Sequence, residues 1–363
     1  MTLTSTLVAK ALVAQLIDIM SLGTIAFVVA FAATPLLTYF LYKWKLGKQI
    51  RDEKTPVFTK LHAKKTGTPN GGGVLIWGTV ILLAFVFWLL GPVLRIDFFT
   101  EHLHFLTREE TWLPLGVLAL TAAIGLIDDI LNAKKIGPGG GGLRIRYKLL
   151  LYTVVAGLAA WWFYYKLGFD ILHVPGVGDF SIGWLYVPLF IFVAVATSFS
   201  VNETDGLDGL AGGVLTAAFI AFGIIAFVQG RTELAAFIAA LVGALLAFLW
   251  FNIYPARFFM GDTGSMSLGF TLAVVAFLTN SVLVLPIIGF VLVAESASVI
   301  IQVFSKKVFK RKVFRSAPIH HHFEAIGWPE PKVVMRFWII AAITAMVGLL
   351  IGLVGRGAAI FII

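Results

Sequence analysis

Hydrophobic residues come along this chain in long blocks separated by short polar breaks. Ten of the blocks approach the ~20 residues that one helix needs to cross a bilayer. They lie at approximately 21–42, 72–91, 112–127, 149–168, 183–201, 210–229, 235–254, 265–279, 283–304 and 334–354. An earlier apolar stretch, 7–20, carries Lys10 and Asp18 and is short for a span, so a separate interfacial or packed helix is expected there. A cleaved signal peptide is not, because no small-residue cleavage site precedes a soluble body. No polar stretch reaches the ~100 residues of a soluble domain. The expected fold is therefore all-α: a polytopic integral membrane protein of about ten transmembrane helices, with residues 1–363 as a single domain.

Composition agrees. The chain has 363 residues, 59% hydrophobic and 13% charged, where a soluble domain has roughly 45–50% apolar and about 25% charged residues. An ordinary water-soluble enzyme is excluded. The absence of cysteine removes disulfide scaffolds, zinc-thiolate sites and cysteine nucleophiles. The net charge of +9 takes its meaning from where the charges fall. Ten spans put the loops alternately on two sides, and 22 of the 28 Lys and Arg residues then share one side. By the positive-inside rule that side is cytoplasmic and both termini lie outside. Orientation thus explains the basic loops, and no nucleic-acid partner is expected.

Five polar clusters interrupt the blocks: KKTGTPNGGG (64–73), the pair Asp128 and Asp129, NETDGLDG (202–209), FNIYPARFFMGD (251–262) and APIHHHFE (317–324). The alternation of spans puts all five on the basic side, which points to one cytoplasmic-face active-site cleft. Asp128, Asp129, Asp205, Asp208 and Asp262 are the chief acids there. Each alone reads as a helix cap. Together they read as hard oxygen ligands with positions open to substrate phosphates, the arrangement Mg²⁺ prefers. Asp128 and Asp129 favour the second reading, because they end a span instead of starting one. Asp205 and Asp208 share a face if their turn is helical.

His320, His321 and His322 cannot share one helix face, so they make a poor zinc site. Imidazoles donating to phosphate oxygens fit better, with structural loop histidines as the alternative. The preceding KKVFKRKVFR (306–315) reads as a positive-inside anchor or as an attraction for anionic lipid. Gly71 to Gly73 read as close packing at the start of a helix, and Gly139 to Gly142 as a flexible loop. Glu295, midway along the ninth block, is either a structural hydrogen-bonded acid or a functional group facing a wet cavity.

In chain order, GLIDD, N-x-TDGLDGLA, FLWFN-x-x-PA-x-x-FMGD-x-GS and APIHHHFE resemble the motifs of the polyprenyl-phosphate N-acetylhexosamine-1-phosphate transferases. The likeness runs from about Lys43 to Arg336, nearly the whole chain. The HHH form is most similar to the phospho-N-acetylmuramoyl-pentapeptide transferase branch; relatives that use UDP-GlcNAc show another histidine pattern. The resemblance implies a ten-helix enzyme of the bacterial cytoplasmic (inner) membrane, with its cleft facing the cytoplasm. Such an enzyme transfers phospho-MurNAc-pentapeptide from UDP-MurNAc-pentapeptide to undecaprenyl phosphate, giving lipid I and UMP, with Mg²⁺. A homodimer is implied as well.

By motif match, Asp262 is the expected Mg²⁺ ligand, with Asp128 and Asp129 near the reacting phosphates and Asp128 activating the lipid phosphate. Direct attack and a covalent aspartyl intermediate both remain open. Asn202, Asp205 and Asp208 match a nucleotide-side motif, and Asn252 and Phe259 match positions near uridine, with the Phe259 ring as a stacking face. Lys64 or Lys65, Lys148 and His320 to His322 are expected on nucleotide or phosphates, His321 foremost. Three positions depart from the family pattern: Asn132 stands for a lysine, Glu203 for a leucine and Asn70 for a threonine. Lys134 or Lys135 could supply the charge missing at 132. A transporter with an acidic ion path is the reading of another class. The acids sit in loops, however, and paired broken helices in matching halves are absent.

Overall fold

The computed structural model describes residues 3–44, 46–47, 65, 67–94, 103–107, 110–138 and 141–355. Every one of the ten apolar blocks is helical. The helices are α1 (Leu3–Lys43), α2 (Val74–Leu94), α3 (Trp112–Ala133), α4 (Ile145–Trp161), α5 (Tyr186–Thr204), α6 (Leu210–Val228), α7 (Thr232–Asn252), α8 (Asp262–Leu278), α9 (Leu285–Ile288), α10 (Phe290–Val308), α11 (Ile319–Ala325) and α12 (Glu330–Val354). By length and composition six of them, α1, α3, α5, α6, α7 and α12, can cross a membrane, and the bent pair of α9 and α10 makes a seventh if the two form one span. The apolar helices α2 and α8 are shorter, while α4 continues into a π turn over Trp162–Lys166.

Two elements differ from expectation. The 7–20 stretch is not a separate helix, because α1 runs unbroken for 41 residues, about 60 Å at 1.5 Å per residue. Neither Lys10 nor Asp18 interrupts it, because a charged side chain takes no backbone hydrogen bond away from the helix. The ninth block is not straight either: it bends by 80° between Val282–Ile288 and Phe290–Val308, at Gly289. A two-stranded antiparallel hairpin, β1 (Ile171–Val174) with β2 (Gly178–Ser181), adds the only sheet among the described residues.

The centre of the bundle is α8. Residues Thr263 to Leu278 are all buried, the hydroxyls of Ser265, Ser267 and Thr271 bonding back to carbonyls one turn earlier, and α3 and α5 pack against it. Backbones come close where side chains vanish, the usual device between membrane helices. A Cβ on Gly125 of α3 would lie 2.5 Å from the Asp262 carbonyl, and one on Gly73 would lie 2.3 Å from Gly264. The contacts at Gly72 and Gly73 bear out the reading of that run as close packing. On the far side, α1 meets α7 through Gly23 and Gly243.

Polar contacts gather at two ends. At one end the His173 amide donates to Asn280, Gly176 to the Gly355 carbonyl, Gln229 to the Thr279 carbonyl, and Leu234 to Glu110. All of these belong to loops that the sequence places on the side poor in Lys and Arg. The five motif clusters meet at the other end.

Candidate active site

Asp128 and Asp129 occupy the last turns of α3, and their side chains diverge. Asp129 turns inward, buried, and both its oxygens are engaged: Asn70 Nδ2 donates to Oδ1 at 2.7 Å, the Asp262 amide to Oδ1 at 3.1 Å and the Thr263 amide to Oδ2 at 3.0 Å. It thereby caps the first turn of α8 from another helix. The residue preceding α8, Gly261, has no side chain to do so, and its φ of +76° with an Asp129 oxygen 2.5 Å from any Cβ requires glycine.

Asp128 points the other way. Its Oδ1 accepts the Leu143 amide and its Oδ2 the Lys148 ammonium at 2.7 Å. The glycine-rich loop therefore folds onto this carboxylate, with Gly142 against it. The same ammonium lies 2.5 Å from Asp262 Oδ2, and Asn202 Nδ2 donates to Asp262 Oδ1 at 2.8 Å and to Ser265 Oγ at 2.9 Å. Side chains from α3, α4, α5 and α8 thus converge on one point.

Two carboxylates against one ammonium leave a hard-oxygen donor set with a net negative charge. That suits Mg²⁺, which takes one or two protein carboxylates and fills its other positions with water and phosphate oxygens. Among the described residues no group of three His, Asp or Glu forms a closed metal cage.

A second cluster flanks the first. Lys65 Nζ lies 2.6 Å from Asp208 Oδ1 and 2.5 Å from Glu330 Oε1, and the amides of Asp208 and Ala256 donate to Glu330 and Asp208 respectively. The Asn252 side chain ties the loops together, accepting from the Gly209 amide and donating to the Phe258 carbonyl. The Lys65 ammonium sits 5.9 Å from the centre of the Phe259 ring. Asp205 and Asp208 do not share a helical face: Asp205 ends α5, half-buried, and Asp208 lies beyond it in a turn, buried.

The three histidines separate. His320 is fully buried, its Nδ1 2.9 Å from Glu295 Oε2 on α10. His321 Nδ1 lies 2.7 Å from Glu324 Oε2, and His322 Nδ1 accepts the Arg315 amide. Lys64 lies outside the described residues. Lys134 and Lys135 are exposed. Glu203 bonds Ser296 Oγ at 2.6 Å, and Ser296 bonds Ser200. The 202–209 turn joins all three clusters, through Asn202, Gly206 and Asp208.

Sequence reasoning did not foresee Glu330, the Asn70 contact or the partner of Glu295. A glutamate in the first turn of a helix reads as a dipole complement, and nothing local told Glu330 from that.

Comparison with known proteins supports the motifs. The family described as glycosyl transferase family 4 matches residues 111–280, which include α3 through α8. Phospho-N-acetylmuramoyl-pentapeptide-transferase of Chloroflexus aggregans is 39% identical over 346 residues, 92% of this chain and 89% of the relative. That of Geobacillus kaustophilus is 40% identical over 330 residues, 90% and 95% of the two chains. That of Shouchella clausii is 41% identical over 333 residues, again 90% and 95%. Likeness of this degree along nearly the whole length, with the motif residues meeting in one place, makes the chain a member of the phospho-N-acetylmuramoyl-pentapeptide-transferase family.

Proposed function

We propose that the enzyme transfers phospho-MurNAc-pentapeptide from UDP-MurNAc-pentapeptide to undecaprenyl phosphate at the cytoplasmic face of a bacterial inner membrane, forming lipid I and UMP. The observation that carries this is the meeting of Asp128, Lys148, Asn202 and Asp262, from four helices, at the end of the bundle where the basic loops lie. A lipid phosphate and a soluble nucleotide can both reach such a point. An apolar groove of about 330 Å³ between α5 and α10, lined by Phe192, Ala196, Ser200, Leu292, Ser296 and Ile300, suits a polyprenyl chain.

In this reaction an oxygen of the lipid phosphate attacks the sugar-bearing phosphorus, the phosphoanhydride bond breaks, and UMP leaves with the bond's electron pair. Such transfer needs alignment and charge neutralisation more than covalent help. Asp262 would hold Mg²⁺, which would supply charge neutralisation on the diphosphate. Lys148 spans the two carboxylates and can turn its ammonium to a phosphate oxygen. Asn202 orients Asp262. Asp128, held by the Leu143 amide, faces the incoming lipid phosphate and takes its proton when it is singly ionised. Lys65 and Asp208 line the nucleotide side, and the face of Phe259 becomes available to a base when Lys65 swings off it.

The test is UMP release by purified protein. Release from UDP-MurNAc-pentapeptide is expected, dependent on undecaprenyl phosphate and stopped by a chelator. Release from UDP-GlcNAc alone would overturn the substrate assignment. Asp262→Asn should lower turnover about 10²–10³-fold, the scale for losing a group that stabilises transition-state charge. Full activity in that variant would remove Asp262 from the metal site.

A further inference from the structure

Glu295 and His320 form a buried pair that the proposed chemistry does not use. Both side chains have zero exposure. One oxygen of the pair, Glu295 Oε2, faces His320 Nδ1 at 2.9 Å, while Glu295 Oε1 and His320 Nε2 are buried with no hydrogen-bond partner among the described residues. Buried polar atoms are nearly always satisfied, and leaving two without partners is costly. A pair retained at such cost in the interior points to a task that an apolar pair could not perform.

The location of the ring indicates the task. A Cβ built on Gly206 would lie 2.3 Å from His320 Nε2 and 2.8 Å from Cε1, so the edge of the imidazole bears directly on the Gly206 backbone. Gly206 stands in the middle of the 202–209 turn, between Asn202, which holds Asp262, and Asp208, which holds Lys65. On the other side Glu295 projects from α10 just past the 80° bend, and the His321 ring meets His320 edge to face, centroids 4.1 Å apart. An imidazole anchored by one nitrogen has a fixed orientation, which is how a carboxylate partner commonly sets a histidine.

We infer that Glu295 is a positioning residue: it holds His320 as a wedge against Gly206 and so sets the turn that carries Asn202, Asp205 and Asp208 onto the nucleotide. This rests on the proposed function, in that the turn serves the sugar nucleotide. Without Glu295 the ring is free to rotate, the turn relaxes, and the nucleotide must order it on binding.

The experiment compares wild type with Glu295→Ala, Glu295→Gln, Gly206→Ala and the Glu295→Ala/Gly206→Ala double variant, reading kcat and KM for UDP-MurNAc-pentapeptide and the melting temperature. Glu295→Ala should raise that KM about tenfold to a hundredfold, the scale for leaving a buried hydrogen-bonding partner unpaired, with a smaller loss in kcat through Asn202, which orients Asp262. Glu295→Gln keeps an acceptor for Nδ1 and should restore KM. Gly206→Ala, which forces ring and turn apart, should give the same rise, and the double variant should be far from additive, as for groups acting through one contact. Equal loss in kcat without a KM change, additive effects, or no rescue by glutamine would overturn the inference. If Glu295→Ala does not fold, the glutamine and Gly206 variants still decide. A wild type that releases no UMP would count instead against the proposed function.

Discussion

Asp128 and Asp129 are adjacent in the chain, yet about 100° apart around α3, and that rotation gives them different work. Asp129 satisfies the first amides of α8, and without it these buried donors have no partner, each worth about 1–3 kcal/mol. Asp129→Ala should therefore lower stability by roughly 3 kcal/mol, read as an earlier unfolding midpoint in detergent. Asp128→Asn keeps an acceptor for the Leu143 amide and should stay within about 1 kcal/mol of wild type while losing turnover. Equal destabilisation of the two variants would show that the two aspartates are not divided in this way. At this scale the sequence revealed which residues carry charge or a ring, and their motifs located them. It did not reveal their partners: Asn70 is 59 positions from Asp129, and Lys148 is 114 from Asp262. Contacts at such separations are products of the fold. Asn252 illustrates the limit, since its motif places it beside uridine while both ends of its amide are spent joining Gly209 to Phe258.

Apolar blocks foretold helices well, because in a bilayer a helix is the means by which one segment satisfies all its own backbone groups. The block pattern carries no information on where a helix bends or continues, so the unbroken α1 and the bend at Gly289 were not legible. Hydrophobicity also cannot say which helix is central; burial of α8 on every side follows from glycines that let its neighbours approach. The same reasoning makes a prediction at the crossing of α1 and α7. A methyl group on Gly243 would sit 2.0 Å from the Gly23 carbonyl oxygen and 3.1 Å from the Phe27 amide nitrogen, so the helices must separate. Gly243→Ala should destabilise by about 1–3 kcal/mol, the usual range for overpacking. Far from the aspartates, it should leave the KM values of the surviving folded enzyme unchanged. A melting temperature equal to wild type would mean that the two helices do not meet at this glycine.

For the whole molecule, orientation is the property on which the proposed reaction depends, since a cytoplasmic nucleotide must reach the aspartates. The hairpin and the 305–316 segment lie at opposite ends if α5, α6, α7, α8 and the bent pair of α9 and α10 each cross the membrane, five crossings in all. If the bent pair instead turns back on itself, four crossings return both segments to one side. The contacts favour five: Asn280, just before the pair, bonds the hairpin, whereas Glu295, just after the bend, bonds His320 beside the site turn. A chain without cysteine lets this be measured with single thiols. Phe180→Cys in the hairpin and Lys312→Cys in the basic segment both replace exposed side chains. In intact spheroplasts a membrane-impermeant maleimide should label Cys-bearing protein of the first variant at once, and of the second only after the membrane is opened. Labelling of both before opening would make the bent pair a re-entrant loop. Labelling of the Lys312 variant alone would reverse the molecule in the membrane and put the four-helix aspartate site on the wrong face for a cytoplasmic nucleotide.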